Sequence, residues 1–275
     1  MDGLHFALFA AAAAGMEFVD SGLGMGYGTV LTPVIMAVCG GDVVVVPAVL
    51  LSQAVGGFTA AIFHHRQENV DFRPKTLSWA AAREGWRERG LRGALNRIFT
   101  TDLKIVAAII CLGVIAAIIG AVVCARAPKW LLSGYIAVMI TVIGVLLLIG
   151  RVFKFTWGKL MAVGFLASFN KGFTGGGFGP VATGGQVVIG NEQRSSIGCT
   201  TLAEAPICII GYLTFVAQGA AGSPRLALAL AAGAAVGGIF GAVLTRKLPA
   251  RAMKIVLGIL LIALGVYGFI KLIPR

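Results

Sequence analysis

The chain has 275 residues, is 58% hydrophobic with a mean hydropathy of +0.91, and is charged at only 12% of its positions. A soluble domain has no interior large enough to hide that much apolar surface. The apolar stretches are continuous and do not alternate, which argues against a β-barrel and for an all-α polytopic membrane protein. The formal charge of +12 sits in the connections between apolar stretches; it follows from membrane orientation and requires no nucleic-acid partner.

Taken in order, the apolar segments run approximately 4–19, 29–39, 43–63, 105–125, 130–150, 158–170, 180–190, 195–217, 225–245 and 251–273. No Lys or Arg precedes the first run, so it is expected as a membrane helix and not as a cleaved leader. Segments 4–19 and 29–39 are short, and a glycine-rich break, Asp20-Ser21-Gly22-Leu23-Gly24-Met25-Gly26-Tyr27-Gly28-Thr29, joins them. Segments 158–170 and 180–190 repeat that arrangement around Asn170-Lys171-Gly172-Phe173-Thr174-Gly175-Gly176-Gly177-Phe178-Gly179-Pro180. Irregular backbone at membrane depth is tolerated only where protein buries it or water lines it. Two such breaks in matching halves mark the binding site of a secondary transporter.

Segment 43–63 carries Ser52 and Gln53 and ends in His64-His65-Arg66. Adjacent histidines point to different helix faces and make a poor metal pair, so they are expected as interfacial polar residues. Loop 64–104 mixes Trp79, Trp86, Leu91, Leu95, Ile98 and Phe99 with many arginines. That composition predicts a basic amphipathic helix on the inner membrane surface. The cysteines Cys39, Cys111, Cys124, Cys199 and Cys208 are scattered and odd in number. They show no metal spacing, so packing is their expected role and no cofactor is implied.

Ten segments divide into two sets of five. An odd number per half requires the second half to be inverted, with residues 1–150 (including the cytoplasmic loop 64–104) as one repeat and 151–275 as the other. An outside N-terminus then places 17 of the 23 Lys and Arg residues on the cytoplasmic side, as the positive-inside rule requires. At a fixed offset, Gly26-Tyr27-Gly28 meets Gly177-Phe178-Gly179, Thr32 meets Thr183, and Gln53 meets Glu204. The expected fold is two inverted five-segment repeats, each with a Gly-broken helical hairpin.

These halves resemble the TauE/SafE family of sulfite exporters and toluene-sulfonate-uptake permeases. The resemblance rests on residues 15–33 (GMEFVDSGLGMGYGTVLTP), on residues 164–184 around the second break, and on FHHRQENVDFRP after segment 43–63. It covers most of the chain except loop 75–104. It implies a multi-pass inner-membrane protein that moves small anions, chiefly sulfite and organosulfonates. Met25 and Tyr27 interrupt the glycines of the first break, and Glu17 and Asp20 add acid there, which departs from the family pattern.

Helices that start after the breaks expose unpaired N–H groups and a positive dipole end, and glycine lets that backbone approach a ligand closely. The candidate anion contacts are therefore Gly24, Gly26, Gly28, Thr32, Gln53, Asn170, Lys171, Gly175, Gly176, Gly177, Gly179 and Thr183. Lys171 is the basic residue placed at a break, and Asp20 holds the related position in the first one, so a Lys171–Asp20 contact is one expectation. Glu204 lies inside segment 195–217, where a carboxyl is costly unless paired, neutral or hydrated. It is the first candidate for proton coupling, with Glu17 and Asp20 behind it. The leading function is a secondary transporter of a small sulfur oxyanion coupled to protons. The alternative is an anion channel or a proton-coupled cation carrier using Glu17, Asp20 and Glu204. A membrane enzyme would need clustered His, Asp or Cys at depth, which the sequence does not offer.

Overall fold

The computed structural model describes residues 3–32, 34–35, 45–124, 129–150, 153–174, 176–219 and 222–272. Segment 29–39 is described only to residue 35, and Pro33, Cys39, Arg126, Gly175 and Arg275 lie outside the described residues. The described chain is helical: α1 (Gly3–Leu23), a π-helical turn (Tyr27–Leu31), α2 (Val45–Arg66), α3 (Trp79–Ile98), α4 (Thr101–Cys124), α5 (Lys129–Ile149), α6 (Trp157–Thr174), α7 (Phe178–Val188), α8 (Gln193–Ala217), α9 (Pro224–Lys247) and α10 (Ala250–Leu272). Residues 3–23, 45–66, 101–120, 193–217 and 224–247 are each long and apolar enough to cross a membrane. The expected all-helical, polytopic class is the class observed.

Two of the segments expected to be short are longer. α1 continues four residues past 19, and α6 continues to Thr174, with 18 residues. At 1.5 Å per residue α6 covers about 27 Å, whereas the 11 residues of α7 cover about 16 Å, half of a hydrocarbon core. The second hairpin therefore has one long arm and one short arm, and every residue of α7 is buried. Local chemistry sets the helix starts. The Glu192 carboxylate accepts the Ser195 N–H at 2.6 Å to open α8. Ser223 caps α9, with Pro224 in its first turn. Pro206 interrupts the hydrogen-bond ladder of α8 two residues after Glu204.

Helices approach closely through glycine. A Cβ at Gly233 would stand 1.9 Å from the Ala10 carbonyl oxygen, and one at Gly237 would stand 2.2 Å from that of Ala14. These contacts seat α9 on α1. A Cβ at Gly120 or Gly172 would similarly strike the Phe169 or Ala117 carbonyl, which seats α4 on α6. α9 also packs on α2, α4 on α8, α2 on α8, and α5 on α10. Outward faces are apolar, with Leu4, Leu8, Ile115, Val122, Val236 and Phe240 exposed, while Glu17, Asp20, Gln53, His64, Lys171 and Glu204 are buried. That is the reverse of a soluble protein and places polar chemistry along the bundle interior.

α3 differs from the single surface helix expected for loop 64–104. Its backbone leaves the helical region at Arg89 and Gly90, where Gly90 has φ +58°. The two halves then lie against each other so closely that a Cβ at Gly93 would be 2.0 Å from the Gly85 carbonyl oxygen. Arg97 fastens them, with bonds of 2.6 Å to both Glu84 and Glu88. The sequence signal for this bend is Gly90 itself, at the point of α3 where the backbone needs a positive φ.

Candidate functional site

The two glycine breaks meet. The Thr183 hydroxyl of α7 donates to the Gly24 carbonyl at 3.0 Å. A Cβ at Gly179 would lie 2.5 Å from the same oxygen, so only glycine permits that approach. Gly24, Gly26 and Gly177 have positive φ angles of 82°, 133° and 73°, conformations that other L residues rarely adopt. Gly26 precedes the π turn and Gly177 caps α7 in the left-handed region. Gly28, Thr32 and Gly176 complete the described part of the two breaks, and Asn170 and Lys171 lie in the last turn of α6. The expected contact Gly175 lies outside the described residues.

Lys171, Gln53 and Glu204 form a closed triangle. The Lys171 ammonium donates to Gln53 Oε1 and, at 2.8 Å, to Glu204 Oε1. Gln53 Nε2 donates to the same Glu204 oxygen at 2.8 Å. All three side chains are within a few percent of complete burial. Of the alternatives for Glu204, the structure shows pairing, and the ion pair of Lys171 is with Glu204 and not with the expected Asp20. Asp20 instead accepts the Tyr27 N–H at 3.1 Å and so stitches the first break together. Glu17 accepts from Ser21 at 2.8 Å through one oxygen. Its other oxygen is buried and has no hydrogen-bond partner among the described residues.

Other polar contacts were not legible in the sequence. Ser52 gives its proton to the Val49 carbonyl, so the Tyr27 hydroxyl is the donor in the 2.7 Å bond between Tyr27 and Ser52. Gln186 donates to Thr200 at 2.8 Å, while Thr201 only returns to its own helix backbone. His64 is fully buried, not interfacial. Its Nε2 donates to the Ser21 carbonyl at 3.0 Å, and its Nδ1 accepts from Asn69 at 3.1 Å. Asn69 Nδ2 also reaches the Ala242 carbonyl, and the Thr245 hydroxyl faces the Ser21 and Gly22 carbonyls at 3.1 and 3.0 Å. The carbonyls left unpaired where α1 ends are thus covered by α2 and α9.

A cavity of about 220 Å³ runs from Gln218, at the end of α8, down to Lys171 and Gly172. Leu50, Ile207 and Phe215 are among its apolar walls, and Thr214 adds a hydroxyl. A mostly apolar cavity whose wall includes a buried lysine is an arrangement suited to one small anion. A family model described as Sulfite exporter TauE/SafE matches residues 90–268.

The chain belongs to the TauE/SafE family. This makes it a multi-pass integral membrane protein of a transporter family for sulfur anions such as sulfite. The TauE/SafE match includes the second break, Lys171 and Glu204. It also includes residues 90–104, which the sequence resemblance left out, and it excludes residues 15–33, on which that resemblance partly rested. No curated protein and no solved structure gives a significant match.

Proposed function

We propose that this protein is a proton-coupled secondary transporter of a small sulfur oxyanion, sulfite or an organosulfonate, held at Lys171 between the two glycine breaks. The observation that carries this reading is the buried Lys171–Glu204 ion pair, whose lysine also lines the cavity. An incoming oxyanion and the Glu204 carboxylate compete for one ammonium. A proton on Glu204 weakens its hold on Lys171 and frees that ammonium for the anion. Proton and anion are then bound together, and loss of the proton returns Glu204 to Lys171 and expels the anion. Gly26 and Gly177 let backbone N–H groups close around the remaining oxygens.

The reading includes two inverted repeats, and the packing supports it. Exchanging the halves turns α1 on α9 into α6 on α4, turns α2 on α9 into α8 on α4, and leaves α2 on α8 and α5 on α10 unchanged. The close contacts follow the same exchange. Gly120 faces the Phe169 carbonyl and Phe173 N–H, and Gly241 faces the Phe18 carbonyl and Gly22 N–H. Labelling of cysteines placed at Arg225 and Thr76 tests the inversion: opposite sides support it, and the same side refutes it.

The deciding experiment is binding of sulfite, sulfate, thiosulfate, sulfonates and carboxylates to the purified protein. Sulfite or a sulfonate should bind, and Lys171→Ala should lose that binding. Equal binding by Lys171→Ala would remove the site from this position. A second reading, a proton-coupled cation carrier, draws on the three buried carboxyls Glu17, Asp20 and Glu204 that share the interior with one ammonium. Charge-selective uptake into liposomes separates the two.

A further inference from the structure

We infer that the bent helix α3 is a docking surface for an anionic phospholipid bilayer, with its arginines on the headgroups and its tryptophans at their base. α3 lies between the end of α2 and the start of α4, and its halves pack on each other. It offers its outer face to whatever lies beside the bundle. Trp79 is 83% exposed and Trp86 is 57% exposed. They stand seven residues apart, with Arg83 between them, and therefore share one helical stripe. Leu77 and Leu91 are also exposed. Exposed tryptophans interleaved with arginines suit a bilayer interface, where a ring body is apolar and its rim is wet.

The charge on this face is set by Arg97. It binds both acidic residues of α3, Glu84 and Glu88, at 2.6 Å. Arg83, Arg87, Arg89 and Arg92 are then left without an acidic partner among the described residues. Four uncompensated guanidinium groups beside two exposed indoles need anions in a plane. The chain supplies the plane. α2 and α4 are apolar spans, and α3 is tied to both, through 12 residues on one side and two on the other. Lys104 reaches back to Asn96 at 2.8 Å, and Lys75 N–H to the Ile98 carbonyl at 2.7 Å, which keeps α3 close to the start of α4. A nucleic acid or an acidic protein would also meet the charge, but neither accounts for exposed indoles on a helix joined at both ends to apolar spans.

The test uses the full chain with Trp130 and Trp157 replaced by phenylalanine, so that fluorescence reports Trp79 and Trp86 alone. The protein is reconstituted in bilayers of phosphatidylcholine, with and without phosphatidylglycerol, and acyl-chain bromine serves as the quencher. Strong quenching in phosphatidylglycerol bilayers is expected, several-fold weaker in pure phosphatidylcholine and weakened again by high salt. Arg83→Gln with Arg87→Gln and Arg92→Gln should bring quenching in phosphatidylglycerol bilayers down to its level in pure phosphatidylcholine. Free glycerol phosphate at millimolar concentration should leave quenching unchanged. Indoles left unquenched in both bilayers, or quenched equally in both and in the arginine variant, would overturn the proposal. Loss of quenching on adding RNA would assign the face to nucleic acid instead. None of these outcomes depends on which anion the protein carries.

Discussion

The two ends of the bundle interior are built differently. Toward Gln218 the interior is hollow, with a cavity that reaches Lys171. Toward Arg66 it is plugged, because His64, Asn69 and Thr245 fill the space beyond the end of α1 and hydrogen-bond its carbonyls. In the two-repeat arrangement proposed above, positions 151 apart, the separation of the bonded pair Gln53 and Glu204, relate the two ends. Phe215 and Gly172 of the cavity then correspond to His64 and Ser21 of the plug. The same place in each half is a void at one end and a hydrogen-bonded cluster at the other. In the transporter reading proposed above, a cavity on one side of the polar centre and a hydrogen-bonded cluster on the other is an arrangement that alternating access would use.

The largest effect is expected at the centre that both ends share. Lys171→Ala strands the buried Glu204 carboxyl and should destabilise the protein by about 3–5 kcal/mol, while abolishing anion binding. Thermal unfolding and a binding assay read the two losses separately. The double variant Lys171→Met with Glu204→Gln should recover much of the stability but none of the binding. Recovery of both would mean that the ion pair is structural and the comparison has no functional centre.

Next comes the plug. His64→Ala leaves the Ser21 carbonyl and Asn69 short of a partner and should cost about 1–3 kcal/mol. It should also open the closed end. In a cysteine-free background, Thr214→Cys on the cavity should react with a hydrophilic thiol reagent from the Gln218 side. Thr201→Cys, at the position related to Leu50, should react only when His64→Ala is also present. If Thr201→Cys and Thr214→Cys react equally well without His64→Ala, the contrast between the ends is lost.

A smaller effect concerns the proton. If coupling runs as proposed above, binding should strengthen as pH falls. Glu204→Gln holds the site permanently in the neutral form, so it should keep anion binding and flatten the pH profile of transport. An unaltered profile would transfer the coupling to Glu17, whose second oxygen has no hydrogen-bond partner among the described residues. The smallest effect is expected for Thr245→Val. Ser21 keeps its bond from His64 and only the Gly22 carbonyl loses its side-chain donor, so the loss should be about 1 kcal/mol, with a slight rise in labelling at Thr201→Cys.

The breaks were legible in the sequence because runs of glycine beside Asp20 and Lys171 weaken a membrane helix and have to be repaid by what they approach. Glu204 was legible because it is the charged residue in segment 195–217, which is otherwise apolar or weakly polar. The same reasoning put Gln53 and Glu204 at matching positions, and the structure places them in contact. What sequence could not supply was rotation and depth. Lys171 stands nearer in sequence to Glu204 than to Asp20, but its choice depends on which face of α6 meets α8. His64 looked interfacial because it lies at the end of segment 43–63, whereas Asn69 folds back to bond both it and the Ala242 carbonyl. The arginines of α3 announced a basic surface, but Arg97 reaches Glu84 and Glu88 together only once the helix is bent.

The bond between Gln53 and Glu204 carries one more consequence. In the two-fold arrangement proposed above, these residues lie where each half touches its own counterpart. A residue in that position cannot be charged in both copies. Two glutamates would repel, and two glutamines would leave Lys171 without a counter-charge. Duplication can therefore repeat the walls of this protein but not its middle. The helices can keep drifting as near copies, while the pair on the axis has to stay unlike.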